Sequence, residues 1–156
     1  MSAGEGSLSI KENKRISFIF VGIAEKEEEF LLVRRAEEVL RSAHNKWELP
    51  GGKLKFGETP EETVEREFLE ETGYQVEAMK LLPRPFVHTW RYPTVLQHTV
   101  LLCYRCKLMK TKPVRQAVDE RVNEVRWVSR TELKNIELLP GVRYFICLAS
   151  NFKDRD

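Results

Sequence analysis

The chain has 156 residues, of which 26 are basic and 24 acidic, and 42% are hydrophobic. This length and composition predict one domain with a single core, and a net charge of +2 argues against binding nucleic acid through bulk charge. No apolar run approaches the roughly 18 residues of a membrane span. We therefore expect a cytoplasmic protein with no membrane partner.

The chain begins with a polar segment and then a predicted hairpin. We expect residues 1–14 to form a flexible tail, 15–152 a single domain, and 153–156 a charged tail. Residues 15–24 and 30–35 are rich in β-branched and aromatic side chains, which predicts two strands joined by the polar turn 25–29. Arg34 lies at the end of the second strand, where a guanidinium suits phosphate oxygens; the alternative is a solvated strand end.

A helix is predicted over residues 60–72. Thr59 can cap its N-terminus, Pro60 suits the first helical position, and Glu62 lies where a capping box needs an acid. Gly73 can end it, since glycine tolerates the left-handed conformation.

Three acidic residues of this helix lie close together on one side. At about 100° per residue, Glu67, Glu70 and Glu71 fall within an arc of about 100°, beside the apolar Val64 and Phe68. Like charges at this spacing repel, and a divalent cation would remove the repulsion. Mg²⁺ prefers such oxygen ligands and is our expected cofactor, with Mn²⁺ as an alternative. An acidic helix that is merely solvated is the competing interpretation.

The surrounding residues favour the metal site. The pattern that favours it consists of Gly52, Glu58 and the run 66–74 (REFLEETGY), and it is preceded by WELPG at 47–51. The stretch 52–74 resembles a complete Nudix box. The resemblance implies a mixed β-sheet between helices on both sides, an α/β (α+β) fold of the α/β/α sandwich type. It also implies hydrolysis of a phosphoanhydride bond in a nucleoside diphosphate linked to another moiety.

The resemblance also implies roles for individual residues. Glu71 is the expected principal metal ligand, with Glu70, Glu67 and the Gly51 carbonyl as further ligands. Glu67 is also a candidate general base. Arg66 and Glu58 resemble the pair that orients the loop and the helix.

Many Nudix enzymes recruit a further acid from a loop before the last strand. Our candidate for this catalytic acid is Glu120, with Asp119 and Glu124 as alternatives. Solvated acids are the competing interpretation for all three.

The aromatic stretch 86–92 follows a predicted strand at 74–82. Trp90 and Tyr92 can form a platform for a nucleobase, and Lys53, near the helix, can contact phosphate. A core or edge role for these aromatic residues is the alternative. His88 and His98 are expected to be structural.

Strands are predicted over 95–109 and 122–128, a short helix from Ser129, and a last helix over 142–152. The three cysteines are Cys103, Cys106 and Cys147. Residues three apart on a strand point to opposite faces, so the first two are expected to be unpaired thiols rather than a metal site. None of the cysteines precedes the box, which argues against an isopentenyl diphosphate isomerase-like enzyme.

The box does not choose among nucleoside triphosphates, ADP-ribose and dinucleoside polyphosphates. Thr89 and Trp90 stand where some ADP-ribose enzymes carry a proline. Tyr92 lies 18 residues past Tyr74, a spacing seen in some dinucleoside polyphosphate enzymes. We expect a small nucleotide substrate and a monomer or homodimer. The alternatives are an RNA 5′-end pyrophosphohydrolase and a non-catalytic nucleotide sensor.

Overall fold

The computed structural model describes residues 13–152. Most of the predicted tails, 1–12 and 153–156, lie outside these residues, although the first strand begins at Asn13, two residues inside the predicted N-terminal tail. The elements are β1 Asn13–Lys26, β2 Glu29–Arg35, β3 Trp47–Glu48, β4 Gly51–Gly52, α1 Pro60–Thr72, β5 Val76–Leu81, β6 Phe86–Arg91, β7 Val95–Leu108, β8 Val122–Ser129, the 3₁₀ turn Glu132–Lys134 and α2 Val142–Asn151.

The sheet is mixed and centres on its two long strands. β1 and β7 run parallel from the pair Asn13–Val95 to the pair Ala24–Cys106. β6 and β5 follow one another along the opposite edge of β7, and both are antiparallel to it. Beyond Ala24, β1 pairs with β2, which in turn pairs with β3 and β8. The strands and helices predicted from the sequence are all present, with ends that differ by a few residues.

The two helices cover opposite faces of the sheet. Alternate residues of β2 belong to different cores: Leu31 packs with α1, whereas Phe30 and Leu32 pack with α2. Val64 and Phe68 attach α1, and both are fully buried. This arrangement confirms the predicted α/β/α sandwich.

Cys103 and Cys106 lie in different cores, as expected for residues three apart on a strand. Both are buried and unpaired, and Cys147 is exposed and unpaired. Within residues 13–152, no helix is both long and apolar enough to cross a membrane.

Candidate active site

The predicted caps define the helix that carries the glutamates. The Thr59 hydroxyl accepts a hydrogen bond from the Glu62 N–H at 3.1 Å, and the Glu62 carboxylate accepts one from the Thr59 N–H at 3.0 Å. At the other end, Gly73 adopts φ 76°, a left-handed conformation that favours glycine. With both ends defined, the rotation of α1 about its axis is set, and with it the side on which Glu67, Glu70 and Glu71 lie.

Arg66 connects the helix to the loop before it. Its Nε and Nη2 donate to the two carboxylate oxygens of Glu58 at 2.6 and 3.0 Å, and its Nη1 donates to Glu67 Oε1 at 2.9 Å. The hydrogen bond from Arg66 lowers the pKa of Glu58 to about 2. Glu58 also accepts from the Lys55 N–H at 2.8 Å. This geometry fits the orienting role expected of the Arg66–Glu58 pair.

Glu67 is a buried carboxylate with an unused oxygen. The residue is 4% exposed, and its Oε2 has no hydrogen-bond partner among residues 13–152. Burial raises the pKa of Glu67, because a charged group is disfavoured where water is excluded. Gly52 lies against this carboxylate so closely that a Cβ there would be 2.6 Å from Glu67 Cδ. Only glycine lets β4 approach the helix in this way.

Glu71 is equally buried, at 5% exposure, and accepts a hydrogen bond from the Gly51 N–H at 2.8 Å. Burial, and then the nearby Glu48 carboxylate, raise the pKa of Glu71 well above its usual value. Glu48 itself has a pKa raised to about 7 by burial, an effect opposed by Arg35, whose Nη1 lies 3.6 Å from it. Glu48 is half-buried and Glu71 is buried, and together they concentrate negative charge.

The structure places Asp119, rather than Glu120, beside the box glutamates. One carboxylate oxygen from each of Glu67, Glu70 and Asp119 lies within 4.8 Å of the others. Asp119 is held there by Arg121, whose backbone N–H and Nε each donate to Asp119 Oδ1. Glu120 is exposed, and neither Asp119 nor Glu120 lines the large cavity. Of the three acids considered from the sequence, Asp119 is the one that belongs to this cluster, and the role of Glu120 stays a prediction.

Arg121 had no assigned role from the sequence. Its Nη2 lies 2.7 Å from Asp119 Oδ2 and 3.8 Å from Glu67 Oε2, so its positive charge faces the unused oxygen of Glu67. Its place directly after two acids and before a strand was the only sequence signal for it.

A cavity of about 540 Å³ connects the box glutamates to the aromatic stretch. Lys53, Trp90 and Tyr92 all line it, together with the three box glutamates and Gly51. Arg34 does not; it pairs with Glu124 at 3.3 Å, and its neighbour Arg35 lines the cavity instead. The pairing of β2 with β8 shifts register between Arg34 and Arg35, so regular alternation along the strand does not by itself assign their faces.

Three further lining residues were not singled out from the sequence as substrate contacts: Arg15, Gln97 and Thr99. They come from β1 and β7 and meet only through the pairing of those strands. Local motifs carry no signal for such a group.

Comparisons with known proteins agree with this geometry. A sequence model described as NUDIX domain matches residues 13–148. The chain is 40% identical over 87 residues to a MutT-like protein of Streptomyces ambofaciens, covering 55% of this chain and 48% of that protein. It is 48% identical over 56 residues to the 8-oxo-dGTP diphosphatase of Escherichia coli, covering 35% of this chain and 42% of that protein. Each match thus spans less than half of the relative's length.

Among solved structures, a NUDIX hydrolase from Nitrosomonas europaea matches with a TM-score of 0.66. The match covers 88% of this chain and 90% of that one, at 20% identity. At that identity, the likeness shows a shared fold.

Proposed function

Because the chain belongs to the Nudix family, we propose that it is a divalent-metal-dependent pyrophosphohydrolase acting on a small nucleotide. The observation that carries this proposal is the convergence of Glu67, Glu70 and Asp119, the first two of which line a cavity of about 540 Å³. A second function, RNA 5′-end hydrolysis, would share the chemistry, but the near-neutral charge of the chain offers it no particular support.

The residues present fit a divalent metal. Glu67 Oε2 is a buried carboxylate oxygen without a hydrogen-bond partner in the described part of the chain, and burying such a group is costly unless a cation or donor faces it. Carboxylate oxygens are the ligands that Mg²⁺ and Mn²⁺ prefer. Glu67, Glu70 and Asp119 would hold the ion, with Glu71 and the Gly51 carbonyl as further ligands expected from the family resemblance. Bound metal would polarise phosphate oxygens and lower the pKa of water.

The protein's own groups supply the rest. Arg66 keeps Glu67 oriented and favours its ionised form. Glu67 is the candidate general base, since its buried carboxylate, whose pKa burial raises, can accept the proton of the attacking water. Arg121, Lys53 and Arg35 line the cavity near the acids, where they can neutralise the phosphate charge that builds up on cleavage.

A substrate panel with Mg²⁺ tests the proposal. It should contain canonical and oxidised nucleoside triphosphates, ADP-ribose, nucleotide sugars, diadenosine polyphosphates and triphosphorylated RNA, with products separated by chromatography. We expect hydrolysis of at least one small nucleotide, lost by more than about 100-fold in Glu71→Gln. Loss of a group that only orients a metal ligand typically costs about 10- to 100-fold, and a ligand should cost more.

Glu61→Gln is the matched control. Glu61 lies on the same helix, is exposed, does not line the cavity, and receives a hydrogen bond from the Tyr104 hydroxyl at 3.1 Å that glutamine can still accept. Full activity of Glu71→Gln in metal-replete buffer would overturn the assignment. No turnover of any substrate, with nucleotide binding still seen as a thermal shift, would identify a sensor instead.

A further inference from the structure

The end of the cavity farthest from the glutamates has a polar floor. β6, β7 and β1 are in register there, so their side chains form rows across three strands. The rows, from the outer end inward, are Trp90–Gln97–Arg15, His88–Thr99–Ser17 and Phe86–Leu101–Ile19. The innermost row is apolar, whereas the two outer rows carry hydrogen-bonding groups.

Three of these polar side chains are buried, and two of the three line the cavity. Gln97 is 7% exposed and Thr99 4%, and both line the cavity. A buried amide is costly unless its hydrogen-bonding capacity is used. Apolar residues at these positions would cost less free energy to bury. We therefore expect the buried amide to have further hydrogen-bond partners.

The known hydrogen bonds of Gln97 use half of that capacity. Arg15 Nε donates to Gln97 Oε1 at 2.7 Å, and Gln97 Nε2 donates to Thr99 Oγ1 at 3.1 Å. Because Arg15 Nε can only donate, the oxygen of the amide must face it, which defines the amide orientation. A glutamine has two acceptor and two donor positions. Within residues 13–152, one acceptor position and one donor position of Gln97 therefore have no partner.

Aromatic rings lie beside this amide. Trp90 is directly opposite Gln97 on β6, and its ring centroid is 4.4 Å from that of His88. The Arg15 guanidinium lies 5.8 Å from the centre of the Tyr92 ring. A flat π-surface next to an adjacent donor and acceptor suits a nucleobase, which has an aromatic face and an edge with the complementary groups.

The distance between the two ends also suits a nucleotide. Phe20 pairs with Gly52 at the glutamate end, and Arg15 pairs with Gln97 at the polar end. Five residues at about 3.3 Å per residue separate these rows by about 17 Å. A phosphate group alone spans far less, whereas a nucleotide laid out along the strand can reach both ends.

We propose that Gln97 is the specificity-determining residue of the cavity, and that its free donor and acceptor bind the edge of the substrate's nucleobase. Arg15 and Thr99 hold the amide in place, and Trp90 contacts the face of the base. This inference rests on the proposed function, because it places the phosphates of the same nucleotide at the glutamates.

The test compares substrates with and without a base. We would measure kcat/KM of the wild type and Gln97→Leu for the four nucleoside triphosphates and for inorganic tripolyphosphate. For the preferred nucleotide we expect a loss of about 10- to 100-fold, as for the loss of one or two hydrogen bonds to a base. For tripolyphosphate we expect a change of less than about 2-fold. Equal losses for both would overturn the inference.

His98→Ala is the matched control. His98 is the next residue of the same strand but points to the opposite, exposed face, where it contacts Thr89. Its kcat/KM should match the wild type for every substrate. Thermal melting of both variants would show that each is folded.

A second measurement separates this inference from the proposed function. Binding of nucleoside monophosphates and of ribose 5-phosphate can be measured by calorimetry without hydrolysis. We expect the wild type to prefer a nucleoside monophosphate over ribose 5-phosphate, and Gln97→Leu to lose most of that preference. An unchanged preference, or no preference in the wild type, would overturn the role of Gln97, even if the enzyme is active. Absence of turnover with the expected binding would overturn the proposed hydrolysis alone.

Discussion

The two ends of the cavity are built in different ways. The acidic end comes mostly from one stretch of 23 residues, 52–74, with Glu48 just before it and Asp119 added from a loop. The polar end combines β1, β6 and β7, whose residues Arg15 and Gln97 are 82 positions apart. Metal-binding geometry can therefore be encoded locally, whereas recognition of the rest of the substrate depends on strand register.

The two ends also differ in charge. Three acids with raised pKa values concentrate at one end: the half-buried Glu48 and the buried Glu67 and Glu71. Arg66 and Arg121 oppose their charge. The floor of the other end is neutral apart from Arg15. Changes at the acidic end should therefore alter metal binding and catalysis, and changes at the polar end should alter substrate preference.

The largest effect at the acidic end should come from Gly52→Ala. The new Cβ would lie 2.6 Å from Glu67 Cδ, so the carboxylate must move or β4 must shift. We expect Mg²⁺-dependent turnover to fall by more than about 100-fold, because displacement of about 1 Å can cost that much. Calorimetry should show weaker Mg²⁺ binding, while binding of a nucleoside monophosphate at the polar end should persist. Unchanged Mg²⁺ affinity would contradict the division in which the acidic end binds the metal and the polar end recognises the substrate.

Arg66→Gln should have the next largest effect. It removes the guanidinium that donates to both oxygens of Glu58 and to Glu67. We expect a loss of about 10- to 100-fold in activity, typical for groups that orient metal ligands. If Arg66 acts through Glu58, the double variant that combines Arg66→Gln and Glu58→Gln should lose little more activity than Arg66→Gln alone. Additive losses would indicate that the two residues act independently.

The features that sequence reasoning predicted well depend on local rules. The caps of α1 follow from capping rules and the clustering of Glu67, Glu70 and Glu71 from helix periodicity, whereas the sandwich was implied by the resemblance to the Nudix box. Lys53, Trp90 and Tyr92 line the cavity, and their roles in substrate binding stay predictions.

Where the structure brings a neighbouring residue to the site instead, the difference concerns direction rather than residue type. Arg34 and Arg35 are adjacent, and only knowledge of which strand face is inward would have selected Arg35. Asp119 and Glu120 are also adjacent, and the choice between them depends on the hydrogen bonds from Arg121. Gln97 is a candidate for base recognition because β1 and β6 flank it on either side, and this pairing is not visible in the sequence.

Arg121→Gln should produce a smaller change in the opposite direction. In the substrate-free protein, the guanidinium lies 3.8 Å from Glu67 Oε2 and 2.7 Å from Asp119 Oδ2, so it competes with a cation for both acids. The Arg121 side chain is 70% exposed, and exposed ion pairs contribute about 0.2–1 kcal/mol. We therefore expect Mg²⁺ affinity, measured by calorimetry, to rise by only about 1.5- to 5-fold. Weaker binding would mean that Arg121 chiefly positions Asp119 for the metal.

The smallest effect should be the pH dependence of stability without metal. Glu48 has a folded-state pKa of about 7, above the usual value of 4.5, so the folded protein binds more protons than the unfolded chain between these values. Stability then falls as pH rises from about 4.5 through 7, and Glu67 and Glu71 add to the same trend because burial raises their pKa values too. We expect the thermal midpoint in EDTA to fall by a few degrees between pH 5 and pH 8.

Glu48→Gln should make this slope shallower, because the titrating carboxyl is removed and its neighbour Glu71 loses a like charge. Mg²⁺ should raise the midpoint more at pH 8 than at pH 5, since protons and metal compete for the same carboxylates. Gln97→Leu, which alters only the neutral end, should leave the slope as it is in the wild type. A slope that changes equally in both variants would mean that the pH dependence arises outside the acidic end, and that the charge contrast between the two ends has no effect on folding.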